Sequence, residues 1–286
     1  MIDGLPAGAL TVILGLAAAA SWGAGDFGGG IASRRGAVYA VVLVSQVTGA
    51  LLCLVLAALL HESFPTGFDL LVCGVAGALG AFGITMLYRG LAIGRMGIVA
   101  PVTGVLAAVI PVLAGFVTEG IPQPMVLIGI VLAVVAVVLV SRVADETGGR
   151  GGLSEALAGG TAIGLFGVAI AQLGEGDVFA DLATIRIIQG VLVAVAVIAT
   201  RSAWRPGRRL LLPLVLIGAL DTAGNGFYLA AVQTGQLAIA SVLSAMYPVV
   251  TVILAAVVLR EPVTRDHTVG IGLAGAAIAL IGAGGG

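Results

Sequence analysis

Charge is what this 286-residue chain has least of: 13 arginines, no lysine and 14 acids amount to 9% of its residues, for a net charge of −1. A soluble domain covers itself with polar surface, and this chain does not carry enough of it. The near-neutral balance also leaves no basic face for nucleic acid. Cysteine is equally sparse. Cys53 and Cys73 both fall inside apolar runs, which excludes a disulfide framework and a thiolate metal site. The two histidines, His61 and His267, lie at the ends of apolar runs and outside any HExxH pattern, so an intramembrane metalloprotease is unsupported. No GxxxxGK(S/T) segment is present to hold nucleotide phosphates, and a primary pump would need a separate subunit. No run carries the regularly spaced arginines of a voltage sensor. No cofactor, metal or enzymatic activity is expected.

Apolar surface is what the chain has in excess. Hydrophobic residues make up 60% of it and the mean hydropathy is +1.20, which makes the bilayer its solvent. A spanning helix needs roughly 20 mainly apolar residues. The sequence offers ten such windows, at 9–30, 38–60, 68–88, 97–118, 122–141, 153–173, 182–200, 210–232, 236–259 and 267–284. The expected fold is an all-α polytopic membrane protein. Asp3, rather than a basic segment, precedes the first run, so helix 1 is expected to act as its own insertion signal.

The ten windows read as two copies of one unit. Tyr88 and Tyr228 are 140 positions apart, Glu119 and Glu261 142. Trp22-Gly23 answers to Phe166-Gly167, and Gly129 to Ala133 answers to Gly270 to Ala274. The division is a first repeat at 1–142, a linker at 143–152 and a second repeat at 153–286. Five helices per copy is an odd number, so the second copy enters the membrane from the opposite face, giving inverted repeats with a substrate site near the midplane. Twelve of the arginines fall in odd-numbered connections, whereas the even-numbered ones carry Glu62, Asp69, Glu119, Glu175, Asp177 and Asp181. By the positive-inside rule both termini lie outside.

Residues 227–264, FYLAAVQTGQLAIASVLSAMYPVVTVILAAVVLREPVT, followed by a glycine-rich last helix and joined to the SWGAGDF of helix 1, resemble the EamA-type members of the drug/metabolite transporter superfamily. The first copy departs from that pattern: Leu106 stands in the register of Pro248, and Gly120 in that of Pro262. The resemblance implies a ten-helix carrier of small metabolites such as amino acids or related compounds, often an exporter, in a bacterial inner membrane.

Polar groups are costly in hydrocarbon, at roughly 2.5–3.5 kcal/mol for an Asp at a helix centre on insertion scales. Asp221, Asn225 and Tyr228 follow at i, i+4 and i+7 on one face of helix 8. Ser244, Tyr247 and Thr251 form a stripe on helix 9, where Pro248 is expected to kink the chain. Trp22 and Asp26 pair an indole with a carboxylate at i and i+4, suited to a cation or an aromatic amine. The candidate substrate-binding residues are therefore Asp221, Asn225, Tyr228, Tyr247, Trp22 and Asp26. The other reading of Asp221 and Asn225 is as hydrogen bonds between helices, and of Asp26 as a boundary residue met by Arg34, Arg35 or water. Ser244 and Thr251 are expected to bond back to their own helix. Tyr88 and Arg89 are read as an interfacial end to helix 3, and Arg186 as neutralised by Asp181 and Asp177. The function that follows is a secondary carrier working by alternating access, with a small-molecule substrate, the bilayer and protons as partners. A non-transporting membrane subunit and a lipid-linked sugar flippase are the other readings.

Overall fold

The computed structural model describes residues 7–35, 38–93, 96–118, 120–140, 152–174, 176–234, 236–258 and 265–284. They form α1 (Ala7–Arg35), α2 (Val38–Leu60), α3 (Gly67–Ile93), α4 (Met96–Thr118), α5 (Pro124–Val140), α6 (Leu153–Ile170), α7 (Val178–Thr200), α8 (Leu211–Val232), α9 (Leu237–Ser244), α10 (Tyr247–Val258) and α11 (Arg265–Gly284), with one 3-10 turn at Arg208–Leu210 before α8. No strand occurs among the described residues. In hydrocarbon every backbone donor and acceptor must be met within the segment, which a helix does alone. Six helices, α1, α2, α3, α6, α7 and α8, are long and apolar enough to cross a membrane. The apolar stretches of α4, α5, α9–α10 and α11 are shorter.

The ninth window is two helices, α9 and α10, which meet at Ala245-Met246. The cause is Pro248, which lacks the N–H for a bond to the Ser244 carbonyl and whose ring would crowd it. The break falls upstream, so that Pro248 stands in the first turn of α10, where a missing N–H costs nothing. Met246 N–H closes a short turn on the Leu243 carbonyl at 3.2 Å, and Val249 N–H one on Met246 at 2.9 Å. Glu119, Glu261 and the linker before Gly152 lie outside the described residues.

Packing follows the repeat. α1 lies on α8 as α6 lies on α3, and α9 and α10 lie on α1 as α4 lies on α6; α2 meets α7 and α5 meets α11. Exchanging the two halves maps this arrangement onto itself. The directions match too. Gly83 faces Ala162 and Ile163 while Gly90 faces Glu155, so α3 and α6 are antiparallel. Trp22 lies on Gly224 and Gly28 on Ile217, so α1 and α8 are antiparallel as well. α4 and α6 run parallel, with Gly160 against Thr103 and Gly164 against Ile110, and so do α1 and α9–α10, with Gly15 against Ala240 and Gly23 against Val250. Glycines at these crossings let backbones approach closely, which is how helices gain packing energy where lipid removes the hydrophobic drive.

Candidate functional site

Each half seats one aromatic ring on a bare stretch of the other. The indole of Trp22 in α1 lies on Gly224 of α8, and the ring of Phe166 in α6 lies on Gly80 of α3; a β-carbon at either glycine would meet the ring. Trp22 to Phe166 and Gly80 to Gly224 are both separations of 144 positions. Between these seats the helices leave a central cavity with about 820 Å³ of empty space, open solvent at its mouth included. All six candidate residues line it: Trp22 and Asp26 from α1, Asp221, Asn225 and Tyr228 from α8, and Tyr247 from α10. Trp22 and Tyr228 are in ring contact, with centroids 5.7 Å apart and planes tilted by 40°. The Tyr228 hydroxyl hydrogen-bonds Ser241 Oγ at 2.8 Å and lies 3.4 Å from the Gly167 carbonyl.

Arg186 is the side chain that the sequence misplaced. It is not held by Asp181 and Asp177, its neighbours in the chain. Its Nη1 donates to Asp221 Oδ2, and to Gln46 Oε1 at 2.9 Å. α7 therefore delivers a guanidinium that is 1% exposed to the wall of the cavity, where Asp221, 23% exposed, answers it. Asp177 Oδ1 instead accepts from the Ser63 N–H at 3.2 Å. Sequence distance misled because the true partners lie 35 and 140 positions away and are brought in only by packing of α8 and α2 on α7.

Gln46 and Gln189 also line the cavity and were missed. Both are amides in the middle of apolar runs, the same signal that marked Asn225. Gln189 Oε1 and Ser244 Oγ are buried without a hydrogen-bond partner, so Ser244 does not bond back to its helix as expected. Thr251 does, donating to the Tyr247 carbonyl at 3.1 Å, and it also lies 3.1 Å from the Gly23 carbonyl of α1. Asp26 forms no hydrogen bond or ion pair with any described residue. Tyr88 is not interfacial. It is 3% exposed, with its hydroxyl against Gly29 of α1, while Arg89 reaches out to Glu155 Oε1 at 3.6 Å.

The arrangement is a polar, aromatic-walled cavity with contributions from both halves of an apolar bundle. The EamA-like transporter family matches the chain twice, over residues 9–142 and 151–283. The chain belongs to the EamA-like transporter family. No curated protein matches its sequence. Twenty-seven solved chains match in structure. One of them, a crystal structure titled only as that of a protein, has a TM-score of 0.75 at 17% identity over 94% of this chain and 95% of its own, a likeness of fold. The EamA-like chain is thus an integral membrane, transporter-like protein built of two repeats.

Proposed function

We propose that this EamA-like protein is a secondary transporter that exports small organic metabolites, of the kind of amino acids or related compounds, by alternating access. The observation that carries the reading is the central cavity itself. An ion pair, three amides and four aromatic rings from both halves converge on it, although polar side chains are expensive there and apolar packing would serve a scaffold better. The pairwise directions of packing support two inverted repeats: α1 and α3 run against α8 and α6, while α4 and α9–α10 lie parallel to α6 and α1. In such a pair the site lies between the halves, and rocking one against the other exposes it to either side. The break at Ala245-Met246, beside Tyr247 and the cavity, is a place where α9 and α10 can change their mutual angle. Proton coupling and simple facilitation both fit this geometry.

Single cysteines at Asn225 and Tyr228, in a chain carrying Cys53→Ala and Cys73→Ala, test it. Both are expected to react with a water-soluble thiol reagent from one side of the membrane at a time, and a transported solute is expected to slow the reaction. Absence of labelling at both sites, with a reactive control at Trp204→Cys, would favour packing glue over a cavity.

A further inference from the structure

We propose that the solute is an organic cation, an amine whose ammonium group is held at Asp26 while its apolar body lies against Trp22, Tyr228 and Tyr247. This rests on the carrier reading for the role of the cavity, and narrows its solutes from amino acids and related compounds to amines. The argument is a charge count. Among the described residues three side chains of formal charge line the cavity: Arg186, Asp221 and Asp26. Arg186 and Asp221 cancel in their ion pair. Asp26 has no described partner; a carboxylate so placed either takes up a proton or meets a positive charge, and a cationic solute supplies that charge.

The rest of the wall agrees in sign. Four aromatic rings line the cavity, those of Trp22, Phe166, Tyr228 and Tyr247, and the face of such a ring attracts a cation. Gln189 Oε1, on a residue 4% exposed, is an acceptor without a donor among the described residues. Arg186 is already committed to Asp221 and Gln46 through Nη1, while its Nε and Nη2 have no acceptor among the described residues. Its Cδ and Nε are pressed toward Gly49 of α2. The Gly49 and Gly80 contacts thus keep Arg186 and Gln189 against the helices behind them.

The test uses the full chain with Trp204→Phe, so that Trp22 is the remaining tryptophan and its fluorescence reports on the cavity. Three probes share a phenyl ring and a two-carbon spacer: 2-phenylethylamine, phenylalanine and 3-phenylpropionate. The amine is expected to change the emission saturably, phenylalanine to bind roughly tenfold or more weakly, about 1.4 kcal/mol, and the propionate not at all. Asp26→Asn is expected to abolish the preference for the amine and Asp26→Glu to restore it in part, both with the parent melting curve. Should Asp26→Asn not fold, the ranking of the three probes in the unaltered site still decides. Phenylalanine binding as well as the amine, any saturable binding of the propionate, or binding of none of the three would overturn the proposal. Flux in liposomes is read separately. Amine binding without flux removes the carrier reading and leaves the cation site, whereas flux of an anionic or neutral solute without amine binding does the reverse.

Discussion

Removing a charge at position 221 does not simply empty one corner of a cavity. Arg186 is 1% exposed and holds one hydrogen bond to Asp221 and one to Gln46, with Nε and Nη2 buried and unfilled. Asp221→Asn keeps the shape but leaves the guanidinium with no formal counter-charge on its partner, and stranding a buried charge costs about 3–5 kcal/mol. The same holds in reverse for Arg186→Gln. A paired replacement, Arg186→Gln with Asp221→Asn, removes both charges at once and is expected to melt above either single variant. Melting curves on the three purified proteins measure this coupling. If the double variant melts no higher than the worse single, the pair is not what holds α7 to α8 at this point.

The residues that line the cavity were legible to different degrees, for a physical reason. Acids, an indole and an i, i+4, i+7 stripe in an apolar run stand out because hydrocarbon makes them costly, and that logic reached Asp26, Trp22 and the α8 face. It could not assign partners. Arg186 has two acids within nine positions in its own chain, yet it turns to a third on the next helix. Neither could it see Tyr88 as buried, since an aromatic followed by an arginine looks the same in sequence at an interface and one turn inside a helix.

Elements are joined here by borrowed caps. α7 begins with Asp177 as its cap residue, whose side chain makes no capping bond to its own helix. Glu62, from the connection between α2 and α3, supplies the missing acceptor: its Oε2 takes the N–H of Phe179 at 2.7 Å and of Ala180 at 2.8 Å. Asp177 returns the favour to Ser63. A carboxylate at a helix N-terminus gains from both orphan amides and the helix dipole. The exchange explains why α7 starts at Val178, four residues before its apolar window, and it ties one half of the protein to the other. Glu62→Ala is expected to cost roughly 1–2 kcal/mol, with Glu62→Asp or Gln recovering part. It is also expected to raise the reactivity of Asn225→Cys toward reagent added on the Glu62 side. Unchanged reactivity alongside a lowered melt would make this contact a structural cap and not a gate. The same element scale shows what sequence could say about helix 9: Pro248 pointed to a bend, but the position of the break two residues upstream depends on Pro248 taking the first turn of α10.

For the whole molecule the open question is direction, and two connections settle both parts of it. The α2–α3 connection, with Ser63, and the α7–α8 connection, with Trp204, follow the second helix of each repeat. In parallel repeats they would lie on the same side of the membrane. In inverted repeats they lie on opposite sides, and the positive-inside rule predicts the Trp204 connection inside, since Arg201, Arg205, Arg208 and Arg209 surround it while Glu62 and Asp69 flank Ser63. The packing directions favour the second arrangement, because α1 runs against α8 and α3 against α6, whereas alternating spans in two repeats of the same orientation would set both pairs parallel. Ser63→Cys and Trp204→Cys, each alone in a chain with Cys53→Ala and Cys73→Ala, read this out with an impermeant maleimide on intact cells. Ser63→Cys is expected to label from outside and Trp204→Cys only after the membrane is opened. Labelling of both from one side would defeat the inversion. Labelling of Trp204→Cys alone from outside would keep the inversion and reverse the protein, placing both termini in the cytoplasm against the arginine distribution.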